Sequence, residues 1–151
     1  MDFLSLKGMN MDCISYKSGY KYQLKSEYNG IIGILPDVAI DTEYISLSQT
    51  GEVRLKSGYA WDGPSGPTID TLNFMRGSLI HDALYQLMRE RHLDRGSYRE
   101  PADRLLQSIC RNDGMSSLRA WVVYLGVRFA GEPFADPASD KPVIRAPKSC
   151  Q

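Results

Sequence analysis

The sequence predicts an α+β fold: a small N-terminal antiparallel sheet, then a three-helix unit that contains an antiparallel helix hairpin. Three observations predict it. Apolar and polar residues alternate in short runs between Tyr20 and Tyr59, apolar residues recur at helical spacing from Leu72 to Phe129, and a loop rich in glycine and proline separates the two regions.

The strand region reads as YKYQLKS, the apolar run GIIGIL, and YISLSQTGEVRLKSGYAW, in which Thr50-Gly51 lies between two alternating runs as a hairpin turn does. Pro64, Gly66 and Pro67 then stop regular structure. The resulting loop of about ten residues exceeds the common connection of about four to six, and loops longer than needed are often functional. Leu72, Met75, Leu79, Ile80, Ala83, Leu84, Leu87 and Met88 mark a first helix, which Asp70 or Thr71 can cap. A polar connector runs from Glu90 to Glu100. Pro101 fits a first helical position, with Ala102, Leu105, Leu106, Ile109 and Cys110 on a second helix ending near Gly114. Ser116 or Ser117 opens a third, whose stripe of Leu118, Trp121, Val122, Leu125 and Phe129 reads as core. Residues 131–151 hold four prolines and little periodicity, so they read as an extended tail on a single domain over 1–130, with Phe134, Val143 and Ile144 able to dock it locally.

Composition narrows the function classes. At 151 residues and 42% hydrophobic content the chain can bury a core of its own. Eighteen basic residues balance eighteen acidic ones, so no global field draws it to nucleic acid, and no nucleic-acid partner is expected. Cys13, Cys110 and Cys150 are odd in number and share no close spacing, which predicts reduced thiols rather than a disulfide framework or a cysteine zinc site. The start, MDFLSLKGMNMDC, lacks a cationic region and a long apolar run, so cytoplasmic synthesis is expected.

The chemistry concentrates between residues 58 and 113. Neighbouring side chains on a helix diverge by about 100°, so His81 and Asp82 serve different partners, while Tyr85 lies within helical reach of both. Asp103 follows Ala102 beside two leucines, where a solvated charge is out of place. In an antiparallel hairpin it can meet the His81 imidazole and fix its tautomer, which makes the other ring nitrogen a general base. Asp82 is then free to bind the preceding loop or a hard cation, calcium being the economical choice because Gly63 and Gly66 let a chain turn its carbonyls inward.

A glycine-rich loop, a helix carrying HDxxY and a later helix with an inward aspartate resemble phospholipase A2, particularly its compact bacterial and fungal branch. The resemblance implies His81 as base, Asp103 as its orienter and Tyr85 as the support of Asp103. It implies Asp82 as a calcium ligand, with carbonyls near Trp61, Gly63 and Ser65 or Gly66 completing the site. The loop W61-D62-G63-P64-S65-G66-P67, the helix motif H81-D82-A83-L84-Y85-Q86 and the pair A102-D103 also resemble a family of phage and bacterial proteins of unknown function, number 1353. That likeness implies a phage or prophage source and no activity.

Plainer uses stand beside these. His81 and Asp103 can form a structural pair, and Asp82 can bond to loop N–H groups or to Arg76 without a metal. Asp62 and Asp70 suit a turn and a helix cap, and Trp61 and Tyr59 suit packing of sheet on helix. Arg95, Arg99 and Arg104 form a basic connector that can meet phosphate or end as solvated charges, and nothing marks His92 as a ligand. The reading that follows is a calcium-assisted ester hydrolase acting on phospholipid at a membrane surface, in the host cytoplasm or on the virion. Its alternatives are a phage structural or host-interaction module, docking to a virion or host protein, and a cell-wall hydrolase.

Overall fold

A computed structural model describes residues 13–63 and 71–151. Its elements run β1 (Ile14–Tyr16), β2 (Tyr22–Gln23), β3 (Tyr28–Ile31), β4 (Ile40–Asp41), β5 (Ile45–Leu47), β6 (Glu52–Leu55), β7 (Ala60–Trp61), α1 (Leu72–Arg89), α2 (Arg95–Asn112), α3 (Ser117–Ala130), α4 (Glu132–Ala135) and β8 (Ile144–Ala146). The architecture is α+β, with antiparallel strands first and three long helices after them.

The main sheet has the order β3-β6-β5-β4. Alternation along β6 turns Val53 and Leu55 inward and Glu52 and Arg54 outward. The register sets Leu55 opposite Ile45 and Val53 opposite Leu47, so the inward residues of adjacent strands stack into one apolar layer. Gly51 closes the β5–β6 hairpin at φ +85°, where a Cβ would strike the Ile32 carbonyl oxygen. Only the first isoleucine of GIIGIL lies in a strand, while Ile32 and Ile34 leave the ladder and fill the core. Two further strand pairs, β2 with β7 and β1 with β8, form separate two-stranded sheets.

Helix α1 lays Leu79, Ile80, Ala83, Leu84 and Leu87 into the same core as Ile45, Leu47 and Leu55, and Ala102 and Ile109 of α2 join it. Gly77 lets α2 approach, because a Cβ there would come within 2.9 Å of Leu106 Cδ1 and 3.0 Å of Cys110 Sγ. Helix α2 begins six residues before Pro101, since the Asp94 carboxylate accepts the Ser97 N–H and caps the turn there. Pro101 is therefore interior, not a first helical position. Ser116 caps α3, whereas Thr71 occupies the N-cap position of α1 without making a side-chain cap; Asp70, the other candidate, lies outside the described residues.

Three expectations are corrected. The stripe on α3 is not core: Leu118, Trp121, Val122 and Phe129 are exposed, and Ala120 and Val123 are the buried residues. The segment after Gly131 is not an extended tail, because it forms α4, a 3-10 turn at Pro137–Ser139, and β8 paired with β1. Cys13 and Cys150 are not free thiols: the β1–β8 pairing brings them together as a disulfide across 137 residues of sequence, leaving Cys110 free and buried. No helix among the described residues is long and apolar enough to cross a membrane.

Candidate functional site

The site is built on the α1–α2 hairpin. Asp103 is wholly buried on α2, and His81 and Tyr85 stand one turn apart on the α1 face that meets it. His81 Nε2 lies 2.7 Å from Asp103 Oδ1, and the Tyr85 hydroxyl donates to the same oxygen at 2.7 Å. Arg128 Nη1, from the last turn of α3, donates to Asp103 Oδ2 at 2.8 Å. Burial works to raise the Asp103 carboxyl, but the hydrogen bonds from His81, Tyr85 and Arg128 outweigh it and hold the group below its ordinary range. An ionised carboxylate only accepts, so in the neutral ring Nε2 carries the proton and Nδ1 keeps a lone pair.

Around this pair the support continues outward. Burial and the Asp103 carboxylate push the Tyr85 hydroxyl up, keeping it a donor. It accepts a bond of 3.2 Å from Arg99 Nε, and Arg99 Nη2 donates to the Val127 and Arg128 carbonyls at the end of α3. Arg99 thus shares the Val127 carbonyl with the Gly131 N–H, satisfies the Arg128 carbonyl, and joins all three helices to the dyad. Gly131 is required at this junction, since a Cβ would strike the Val127 carbonyl oxygen and come within 2.9 Å of the Tyr85 hydroxyl.

His81 also lines a cavity of about 600 Å³. Along α1 its floor carries Ser78, His81, Asp82, Tyr85, Gln86 and Arg89; β7 forms one wall and α3 the other. The Asp82 carboxyl reaches 4.0 Å from His81 Nδ1 and lines the same cavity. Burial, reinforced by Asp62 but opposed by His81, Arg89 and the Gly63 backbone bond, raises its pKa to about 6. A hollow of about 640 Å³ on the sheet, lined by residues such as Asn29, Ser46 and Arg54, contains none of the buried polar side chains Ser78, His81 and Asp103.

The sequence candidates divide accordingly. His81, Asp82, Tyr85 and Asp103 converge, and Trp61 and Gly63 border the same cavity. Ser65 and Gly66 lie outside the described residues. Arg76 is not the partner of Asp82; it binds Asp113 and the Tyr28 hydroxyl instead. Trp61 is buried, stacks on Tyr59 and sits 3.3 Å from Ser78 Oγ through Nε1. The basic connector does not act as one patch, because Arg95 pairs with Asp136, Arg104 with Glu100, and Arg99 turns inward. Sequence reasoning missed the parts played by Arg99 and Arg128. Their signal, a cation in the last turn of α3 and another near the start of α2, is common on solvated helices.

The fold and site define a class: an α+β protein with a carboxylate-anchored histidine on a helix hairpin, opening to a largely apolar cavity. Residues 37–127 match the family model described as "Protein of unknown function (DUF1353)", which covers more than half of the chain, so the chain belongs to that family. No curated protein and no solved structure matches it.

Proposed function

We propose that the chain is a phospholipase A2-like ester hydrolase in which His81 Nδ1 is the general base. The observation that carries this reading is the placement of His81 between two environments: Nε2 on the buried Asp103 carboxylate, and Nδ1 4.0 Å from Asp82, with both residues lining a largely apolar cavity. Nδ1 removes a proton from water as its oxygen attacks the ester carbonyl carbon. Asp103 stabilises the imidazolium that forms, and Nδ1 returns the proton to the departing alkoxide, leaving acid, alcohol and neutral imidazole. Tyr85, Arg99 and Arg128 hold Asp103 in place for both transfers.

Calcium is the cofactor this reading adds, to polarise the ester carbonyl. Asp82, with carbonyls of Trp61, Gly63 and Ser65 or Gly66, would hold it. The fit is partial: the Gly63 backbone already bonds to Asp82, and no group of three metal-ligating side chains converges among the described residues.

The test is release of fatty acid from phospholipid vesicles, with calcium or with chelator. His81→Asn is expected to lower the rate by about 10²- to 10⁴-fold. It also removes one of three donors from buried Asp103, at about 1–3 kcal/mol, so rates are compared below the variant's melting temperature. A wild-type chain inert on every phospholipid and simple ester, with calcium supplied, refutes the reading. Peptidoglycan as the sole substrate would move the same residues to cell-wall hydrolysis. The apolar outer face of α3 favours a second reading, a phage structural or host-interaction module, which co-sedimentation with virions tests.

A further inference from the structure

The cavity is more apolar at one end than at the other. Toward the start of α1 it is lined by Phe74, Leu106, Val122 and Val123, and toward the end of α1 by Gln86 and Arg89. Gln86 is occupied on both sides, accepting from the Tyr59 hydroxyl at 3.1 Å and donating to Glu90 at 2.9 Å. Arg89 is the one cation among the described lining residues. Its Nη1 donates to the Phe134 carbonyl at 2.7 Å, while its Nε is buried with no partner. A guanidinium N–H sealed away without an acceptor costs stability, so the side chain gains if a shift at the cavity wall brings that N–H to a bound acceptor.

We propose that Arg89 receives the anionic head of a single-chain amphiphile, an alkyl phosphate or carboxylate, whose chain runs past His81 to the Phe74 and Leu106 end. Arg89 follows His81 by eight residues, about 12 Å along the helix axis. Helix side chains lean toward the N-terminus, which brings the guanidinium about one turn nearer His81. The head therefore sits a few bonds beyond whatever lies at Nδ1, and the chain covers the apolar wall of α3. Only the location of a scissile ester at Nδ1 rests on the hydrolase reading; binding of the amphiphile does not.

Calorimetric titration of the full chain with dodecyl phosphate and dodecanoate below their micelle concentrations, dodecanol below its solubility limit, and inorganic phosphate tests the proposal without catalysis. Dodecyl phosphate or dodecanoate is expected to bind at least about 10-fold more tightly than dodecanol, and Arg89→Gln to remove that preference while leaving dodecanol within about two-fold. Arg89→Lys, which keeps the charge but lacks the fork, should retain part of it. Equal binding of anion and alcohol to the wild-type chain overturns the proposal, and that comparison needs no variant to fold. Inorganic phosphate binding as tightly as dodecyl phosphate also overturns it, by showing an oxyanion site without a chain site. An Arg89-dependent preference in a chain that hydrolyses nothing would sustain this proposal and sink the hydrolase.

Discussion

Helices α1 and α3 are both apolar over most of their length, yet α1 buries eleven residues and α3 only Ala120 and Val123. The difference lies in their neighbours. α1 shares one core cluster with the main sheet and α2, whereas α3 rests one flank on α2 and α4 and gives others to the cavity and to solvent. The same hydrophobic spacing therefore builds a core in one helix and a cavity wall with an exposed apolar face in the other. To the interior α3 adds a small apolar cluster, Ala120 and Val123 against Phe74, Leu106 and Cys110, and polar anchors: Arg128 on Asp103, and carbonyls for Arg99.

The sharpest way to break this comparison is to remove the carboxylate that ties both helices to α2. Asp103→Ala strands Arg128 and leaves the polar ends of His81 and Tyr85 without their acceptor, and urea unfolding should show a loss of about 3–5 kcal/mol. Leu87→Ala, in the wholly buried centre of α1, should cost about 2–5 kcal/mol by the same measurement.

A pH series sharpens the contrast within α1 itself. Asp82, raised to about 6, keeps a proton in the folded state that it loses at about 4 when unfolded, so stability falls as pH rises between those values. The fall is at most about 3 kcal/mol, and smaller to the extent that cavity solvent reaches a side chain that is 27% exposed. Asp82→Asn should flatten that window. Asp103 runs the other way: its folded pKa is depressed, so its contribution is present above about 4 and is lost as pH falls below that. Smallest of all, Phe129→Ser on the outer face of α3 should change stability by no more than about 0.5 kcal/mol. A loss near that of Leu87→Ala would mean that a partner covers this face in solution.

Much of the site was legible because helical geometry is local. HDxxY places His81 and Tyr85 on one face, and a carboxylate set among apolar residues on the next helix had few places to go but inward. The hairpin at Thr50-Gly51 was legible for a similar reason, since the turn and both strands lie within one short stretch. The early start of α2 was obscured by Pro101, which reads as a first helical position but sits inside the helix, where it forgoes one intrahelical hydrogen bond, while Asp94 caps the true start. The exposure of Trp121 and Phe129 was hidden because periodicity marks an apolar face without counting the elements available to cover it.

Local order, turn positions and the shared face of His81 and Tyr85 were thus determined by the sequence alone, because each depends on backbone periodicity over a few turns of chain. Only the tertiary structure decided that Arg128 and Arg99 complete the anchor, that Cys13 meets Cys150, and that Arg89 ends the cavity with a buried N–H unpaired. These depend on how separate elements close on one another, and distances across that closure have no counterpart in the spacing of residues along the chain.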